Sequence, residues 1–288
     1  MKPGIALITG CSTGIGRELA QQLVRQGWTV YAGARRPDTL QALASETLRP
    51  VELDVNAPEQ IVACLARIEQ EAGRLDLLVN NAGYGAMGPI VEMPIEQVRQ
   101  QFETNVFAPL ALVQAALPLL TRERGSLVVN IGSISGILTT PFSGAYCATK
   151  AALHSLSDAL RLELAPFGVR VLTVQPGAIR SEFGNNAQRS LSATLPADSR
   201  YQPLRSYIEA RAQASQQNGT PTEQFVGELV RLIGQESPPA VKRLGNGSTA
   251  FVLLKRLLPT RMLDKVLSRK FGLAGFSAEA TARAPARP

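Results

Sequence analysis

The 288-residue chain is 45% apolar and 18% charged, proportions of an ordinary soluble globular protein and enough length for one large α/β domain. No apolar run approaches the about eighteen residues of a spanning helix, and the opening stretch M-K-P-G-I-A-L-I-T-G is too short in its apolar part for an export signal. The net charge of +7 is carried by residues 241–272, where Lys242, Arg243, Lys255, Arg256, Arg261, Lys265, Arg269 and Lys270 stand against one acid, Asp264. With the excess confined to one late segment and few aromatics, no nucleic-acid partner is expected.

Residues 4–9 form a short apolar run bounded by glycines, as a buried parallel strand does. The turn Gly10-Cys-Ser12-Thr13-Gly14-Ile15-Gly16 follows, then helical periodicity over 17–26 and a second strand over 28–33. A glycine-rich turn between a strand and a helix lets the backbone approach a pyrophosphate, and the helix start favours its charge. The second strand ends Ala34-Arg35-Arg36, with no carboxylate for the ribose hydroxyls of NAD. Guanidinium groups there suit the extra phosphate of NADP. NADPH is thus expected in preference to NADH.

A third strand runs over 50–55 and ends at Asp54-Val55; a helix over 57–72 and a fourth strand over 75–79 lead into Asn80-Asn81-Ala82-Gly83. Residues 94–120 read as one long helix containing Asn105, with Pro109 and Pro118 as possible bends. The fifth strand, 125–132, delivers Ser133, and the helix over 145–165 carries Tyr146 and Lys150. A sixth strand over 169–175 stops at Pro176-Gly177, with Ile179 and Ser181 just beyond. Residues 181–220 form a polar excursion where a lid commonly forms, and 221–233 return to helix. Strands alternating with helices predict a doubly wound parallel sheet of about seven strands, Rossmann-type, with ligands at the carboxyl ends of the strands. The domain so defined covers 1–245, with a basic helical extension at 246–274 and a tail at 275–288 expected to be disordered.

Tyr146 and Lys150 lie four apart, on one face of a helix. An ammonium beside a phenol should lower its pKa from about 10 and fit it for proton transfer at neutral pH. The single histidine, His154, reads as packing and leaves little room for a histidine-based nucleophile or metal site, so no metal is expected. Cys11, Cys64 and Cys147 lack metal-ligand spacing and read as free thiols in a reducing, cytoplasmic setting.

Six motifs in this order make the chain similar to the short-chain dehydrogenase/reductase family over roughly 4–240. They are T-G-C-S-T-G-I-G at 9–16, Asp54-Val55, N-N-A-G at 80–83, Ser133, the Tyr146/Lys150 pair with Asn105, and Pro176-Gly177 with Ser181. The resemblance implies a catalytic tetrad of Asn105, Ser133, Tyr146 and Lys150. It also implies that Lys150 holds the nicotinamide ribose and that Asn105 orders a proton-relaying water. Gly132 and Cys147 are departures from the usual pattern. Locally, T-G-C-S, G-A-R-R, N-N-A-G-Y-G and R-L-L-P resemble the branch with hydroxysteroid and retinol dehydrogenases and acyl-dihydroxyacetone-phosphate reductases. A homo-oligomer, dimer or tetramer, built on the long helices is implied as well.

Leu138, Phe142 and Phe183, beside Ser133 and Tyr146, suggest a hydrophobic alcohol or ketone as substrate, or ordinary loop packing. Within 249–272, Met262, Leu263, Val266, Leu267 and Phe271 form an apolar stripe and Arg261, Lys265 and Arg269 line another face. Such a helix can lie on an anionic membrane, cap the pocket, or pack on the domain with a solvated basic face. The expected activity is hydride transfer between NADP(H) and a carbonyl or alcohol. A non-catalytic NADP-binding sensor on the same fold is the alternative, and the intact proton donor argues against it.

Overall fold

The computed structural model describes residues 2–276. The chain alternates strand and helix through β1 (Ile5–Ile8), α1 (Gly14–Arg25), β2 (Thr29–Ala34), β3 (Leu48–Glu52), α2 (Pro58–Ala72) and β4 (Leu77–Asn80). It continues with α3 (Ile95–Phe102), α4 (Ala108–Leu120), β5 (Leu127–Ile131), α5 (Gly144–Leu164) and β6 (Arg170–Pro176). Next come β7 (Ile179–Arg180), α6 (Glu182–Arg189), α7 (Leu191–Thr194), α8 (Arg205–Ala212), β8 (Thr220–Pro221), α9 (Thr222–Gly234) and β9 (Val241–Leu244). Two helices, α10 (Ala250–Leu257) and α11 (Thr260–Lys270), close the described chain.

Seven strands pair in the order β3-β2-β1-β4-β5-β6-β9, every pair parallel, and β7 and β8 form a separate two-stranded ribbon. Parallel strands must be covered on both faces, and the side chains divide accordingly. Ala6 and Ile8 of β1, with Val129 and Ile131 of β5, face the layer of α1 and α9. Leu7 and Val128, one residue out of step, face α2, α4 and α5. That two-residue alternation forms two cores from one sheet. The order reverses direction between β1 and β4, which opens a crevice at their carboxyl ends.

The 94–120 segment is helical throughout, but a π-turn, Glu103–Phe107, interrupts it at Asn105 and divides α3 from α4. Pro109 falls where the π-turn runs into α4, and Pro118 lies inside α4. By length and composition this 26-residue stretch is apolar enough to cross a membrane, contrary to the expectation from single runs. Half of its most apolar eighteen residues are buried, and Leu112, Val113, Ala116 and Leu120 lie against the sheet, the placement of a core helix.

The 181–220 excursion is largely helical. With α11 it forms a third apolar cluster over the end of α5, including Met87, Phe142, Tyr146, Leu191, Ile208 and Phe271. The basic extension is two helices broken at Pro259. Its apolar stripe is not one face: Leu263 and Phe271 are buried, while Met262 and Val266 are exposed. Nearly all of the tail expected at 275–288 lies outside the described residues.

Candidate active site

A cleft of about 1380 Å³ runs along the carboxyl ends of the strands. At one end its floor is the turn after β1. Gly10 takes φ +71°, a conformation open to glycine, and Ser12, Thr13, Gly14 and Ile15 line the cleft at the start of α1. That helix has no side-chain cap and no acid in its first turn, so its first N–H groups are left for an anion. Asn81 donates from Nδ2 to the carbonyls of Thr9 (2.8 Å) and Gly10 (3.2 Å), and Thr9 Oγ1 accepts from the N–H groups of Asn81 and Ala82. The segment after β4 is thereby stitched to the turn. A bare helix start beneath a braced, glycine-bent turn fits a dinucleotide pyrophosphate.

Arg35, Asp54, Val55, Asn81, Ala82 and Gly83 line the same end, and Pro176, Gly177, Ile179 and Ser181 line the middle. Two of the expected cofactor positions are not on the cleft wall. Gly16 sits under the turn against Asn81 rather than on the cleft wall. Arg36 is exposed and off the wall, because the chain turns at once into a 3-10 segment that begins at Pro37.

Ser133 follows β5, its Oγ accepting from the Ser135 N–H (3.1 Å). Tyr146 and Lys150 reach the cleft from the first turns of α5. Buried amides hold this helix in register: Asn80 Nδ2 donates to Asn130 Oδ1 and Asn130 Nδ2 to Ser157 Oγ, each at 2.8 Å. Lys150 Nζ donates to the Ile131 carbonyl (2.8 Å) and stands 5.9 Å from the centre of the Tyr146 ring.

The expected lowering of the tyrosine pKa is overturned. Burial pushes Tyr146 up to about 12, against the opposing pull of the Ser133 hydroxyl and the Arg211 guanidinium. Burial also pulls Lys150 down to about 8. The i, i+4 spacing puts both side chains in one wall, but the ammonium is turned onto the Ile131 carbonyl, and removal of water sets the direction of both shifts.

Asn105 is buried behind the wall, not on it. Its Oδ1 accepts from the Tyr84 N–H (3.1 Å), and its Nδ2 donates to the Tyr84 carbonyl (2.9 Å) and to Thr149 Oγ1 (3.1 Å). This amide braces the wall beside Gly83. Phe142 also leaves the expected set. It takes φ +63° and packs edge-on against Tyr201 and Phe271, holding α11 down rather than lining the cleft. Leu138 and Phe183 do line it, the Phe183 ring 5.3 Å from that of Tyr146.

His154 does more than pack against a helix. The Ser133 N–H donates to its Nε2 (3.3 Å), and burial and the neighbouring Lys150 hold its pKa down near 4, so the ring is neutral. A Cβ on Gly132 would lie 2.3 Å from that nitrogen and 2.9 Å from the Val174 carbonyl. Glycine at 132 and histidine at 154 are therefore one feature, and together they set the Ser133 backbone.

A residue that the sequence did not single out completes the wall. Arg211, on α8, lines the cleft beside Tyr146, and its Nε donates to Thr140 Oγ1 (2.8 Å). Within E-A-R-A-Q it carries no local signal. Chemically, the arrangement can hold an oxygen between Ser133 and Tyr146 and give it a proton, with cations near enough to stabilise the phenolate left behind.

The short chain dehydrogenase family model matches residues 4–191. The NADPH-dependent 1-acyldihydroxyacetone phosphate reductase of Saccharomyces cerevisiae is 31% identical over 93% of this chain and 91% of its own length. The 3-ketodihydrosphingosine reductase of Bacteroides thetaiotaomicron is 32% identical over 93% and 97%. Among solved structures, a short chain dehydrogenase from Burkholderia cenocepacia in complex with NADP superposes with a TM-score of 0.71, at 26% identity over 92% of this chain and 98% of that one.

Proposed function

Because the chain belongs to the short-chain dehydrogenase family, oxidoreductases that interconvert CH–OH and C=O with a nicotinamide cofactor, we propose that it is an NADPH-dependent reductase of a hydrophobic, lipid-like ketone or aldehyde. The observation that carries this reading is the meeting, in one cleft, of the uncapped glycine turn with Ser133, Tyr146 and Lys150. The turn and Asn81 hold the pyrophosphate, Asp54 and Val55 flank the adenine, and Arg35 holds the extra phosphate. Pro176, Gly177, Ile179 and Ser181 hold the nicotinamide end. The bound dinucleotide supplies the hydride. Ser133 holds the substrate oxygen by a hydrogen bond, and Tyr146 gives that oxygen its proton. Lys150 stabilises the resulting phenolate and holds the ribose, while Asn105 keeps the Gly83–Tyr84 wall and, through Thr149, the start of α5 in place. A phenol with a pKa near 12 stays protonated at neutral pH, as reduction requires. The yeast relative is NADPH-dependent and the Burkholderia structure holds NADP, while the yeast and Bacteroides reductases act on 1-acyldihydroxyacetone phosphate and 3-ketodihydrosphingosine, both lipid ketones.

The test is NADPH oxidation with methyl ketones of increasing alkyl length. We expect kcat/KM to rise about 4-fold per added methylene, the worth of about 0.8 kcal/mol of apolar burial. Rates independent of chain length would overturn the lipid assignment.

The substrate end of the cleft opens between α10 and α11, whose Phe251, Leu254, Val266 and Leu267 line it. Leu253, Leu257, Met262 and Val266 stand 49, 75, 53 and 45% exposed on these helices, among Lys255, Arg256, Arg261 and Lys265. That surface suits peripheral contact with an anionic bilayer, from which a lipid could enter. The chain should float with phosphatidylserine vesicles and far less with neutral ones. The double variant Leu257→Glu, Met262→Glu should lose at least half of that binding, and equal flotation of both proteins would sink the idea. A homo-oligomer is supported by Ile95, Phe107 and Leu162, exposed on the long helices.

A further inference from the structure

Arg211 is held in the wall of the cleft without an acid. Its Nε–H donates to Thr140 Oγ1 at 2.8 Å and its Nη2 lies 3.5 Å from Ser135 Oγ, and its other close neighbours are the Cys147 thiol and Tyr146. Among the described residues no carboxylate pairs with it. Glu182, the carboxylate on that side of the cleft, lies 3.7 Å from Arg189 instead. A guanidinium remains charged at any physiological pH, and Arg211, half-buried in the cleft wall, keeps that charge in a sheltered place without a counterion. Its planar fork of donors matches carboxylate and phosphate oxygens, and two neutral hydroxyls do not use it up.

The location limits what could supply the charge. Ser135 donates its N–H to Ser133 Oγ at 3.1 Å, so the hydroxyl that touches Arg211 belongs to the residue braced against the oxygen-holding serine. An anion on Arg211 therefore sits beside the reacting oxygen, not at the far mouth. Lys270, whose Nζ lies 5.6 Å from the centre of the Phe251 ring, adds a second cation to the substrate end of the cleft. Beyond them the wall turns apolar at Leu254, Leu267 and Phe271.

We propose that Arg211, with the Ser135 and Thr140 hydroxyls, is an anion subsite, and that the substrate is an amphiphile whose carboxylate or phosphate lies a few bonds from the reacting carbon. This rests on the reductase reading and narrows it from any lipophilic ketone to an anionic one. The apolar tail runs along α10 and α11, and the headgroup fixes which carbonyl meets Ser133 and Tyr146.

The experiment compares matched pairs with NADPH: a medium-chain 3-oxocarboxylate against its methyl ester, and a long-chain ketone phosphomonoester against its dephosphorylated alcohol. The quantity read is the anionic-to-neutral ratio of kcat/KM. In the wild type it should be about 10- to 100-fold, expressed in KM, as for charge-assisted hydrogen bonds in a sheltered site. In Arg211→Gln it should fall towards one, and in Arg211→Lys it should be partly restored. The pair with the larger wild-type ratio identifies the headgroup. A wild-type ratio near one overturns the subsite whether or not any variant folds, and so does a ratio that Arg211→Gln leaves unchanged. Calorimetric titration with decyl phosphate and decanoate reads the subsite without turnover. If no ketone is reduced but Arg211→Gln weakens this binding at least 10-fold, the reductase reading fails and the subsite stands.

Discussion

Tyr146→Phe is expected to lower kcat for carbonyl reduction by about 10²- to 10⁴-fold, the usual worth of a positioned proton donor, while the Kd for NADPH changes little. The substitution removes one oxygen from a ring that is 7% exposed and keeps its contact with Phe183, so the fold and the dinucleotide end of the cleft have no reason to move. Stopped-flow reduction with a fluorescence titration of NADPH separates the two effects. A variant that keeps more than about a tenth of wild-type kcat would remove Tyr146 from the chemistry.

The pH dependence gives a second handle on the same residue. Reduction consumes the protonated phenol, and with a pKa near 12 that form dominates through neutral pH. The rate should be flat up to about pH 8 and fall above it, as Lys150 loses the ammonium that stabilises the departing phenolate. Alcohol oxidation needs the phenolate instead, so its rate should climb with pH up to about 8, by up to about tenfold per unit, and level off above it as the ammonium that stabilises the phenolate is lost. Identical profiles in the two directions would mean that another group carries the proton.

These expectations come partly from the sequence and partly in spite of it. The strands, the glycine turn and the residues at the strand ends are legible because each is local: an apolar run, a bend, then a helix. The parallel pairing of the sheet follows from that alternation, whereas its strand order does not, since doubly wound sheets occur in more than one order. Asn105 was legible as a position but not in its placement, since the π-turn that sets its side chain leaves no mark on a 3.6-residue period. The Tyr146–Lys150 pair was found by spacing and misjudged in its electrostatics, because spacing reports nearness and not desolvation. Gly132 looked like a small departure until His154 was seen to occupy the space that a serine there would need. Arg211 and Phe142 owe their roles to helices folded over the cleft from about seventy and one hundred and thirty residues away, contacts with no trace in local pattern.

Arg35→Asp should shift cofactor choice by about 10²- to 10³-fold towards NADH, with most of the change in KM. Arg35 follows Ala34 at the carboxyl end of β2 and is exposed on the cleft wall, whereas Arg36 is exposed but not part of that wall. One guanidinium can thus meet a phosphate on the adenosine ribose, and no carboxylate at the end of that strand stands ready for a free hydroxyl pair. The substitution works in two ways: it removes the fork that grips the phosphate, and it sets an anion against it. The same carboxylate can accept both ribose hydroxyls of NADH, so affinity for that cofactor should rise rather than merely persist. The neutral variant Arg35→Ser separates the contributions, with the lost attraction alone costing about 10-fold. Arg36→Ser, from its position off the wall, should alter the NADPH KM by less than about 3-fold. Steady-state KM values for both dinucleotides, taken at low and high ionic strength, measure all of this. An Arg35→Asp enzyme that still prefers NADPH would move the phosphate site to another part of the cleft, whereas a preference that weakens with added salt in the wild type alone would fix it on Arg35.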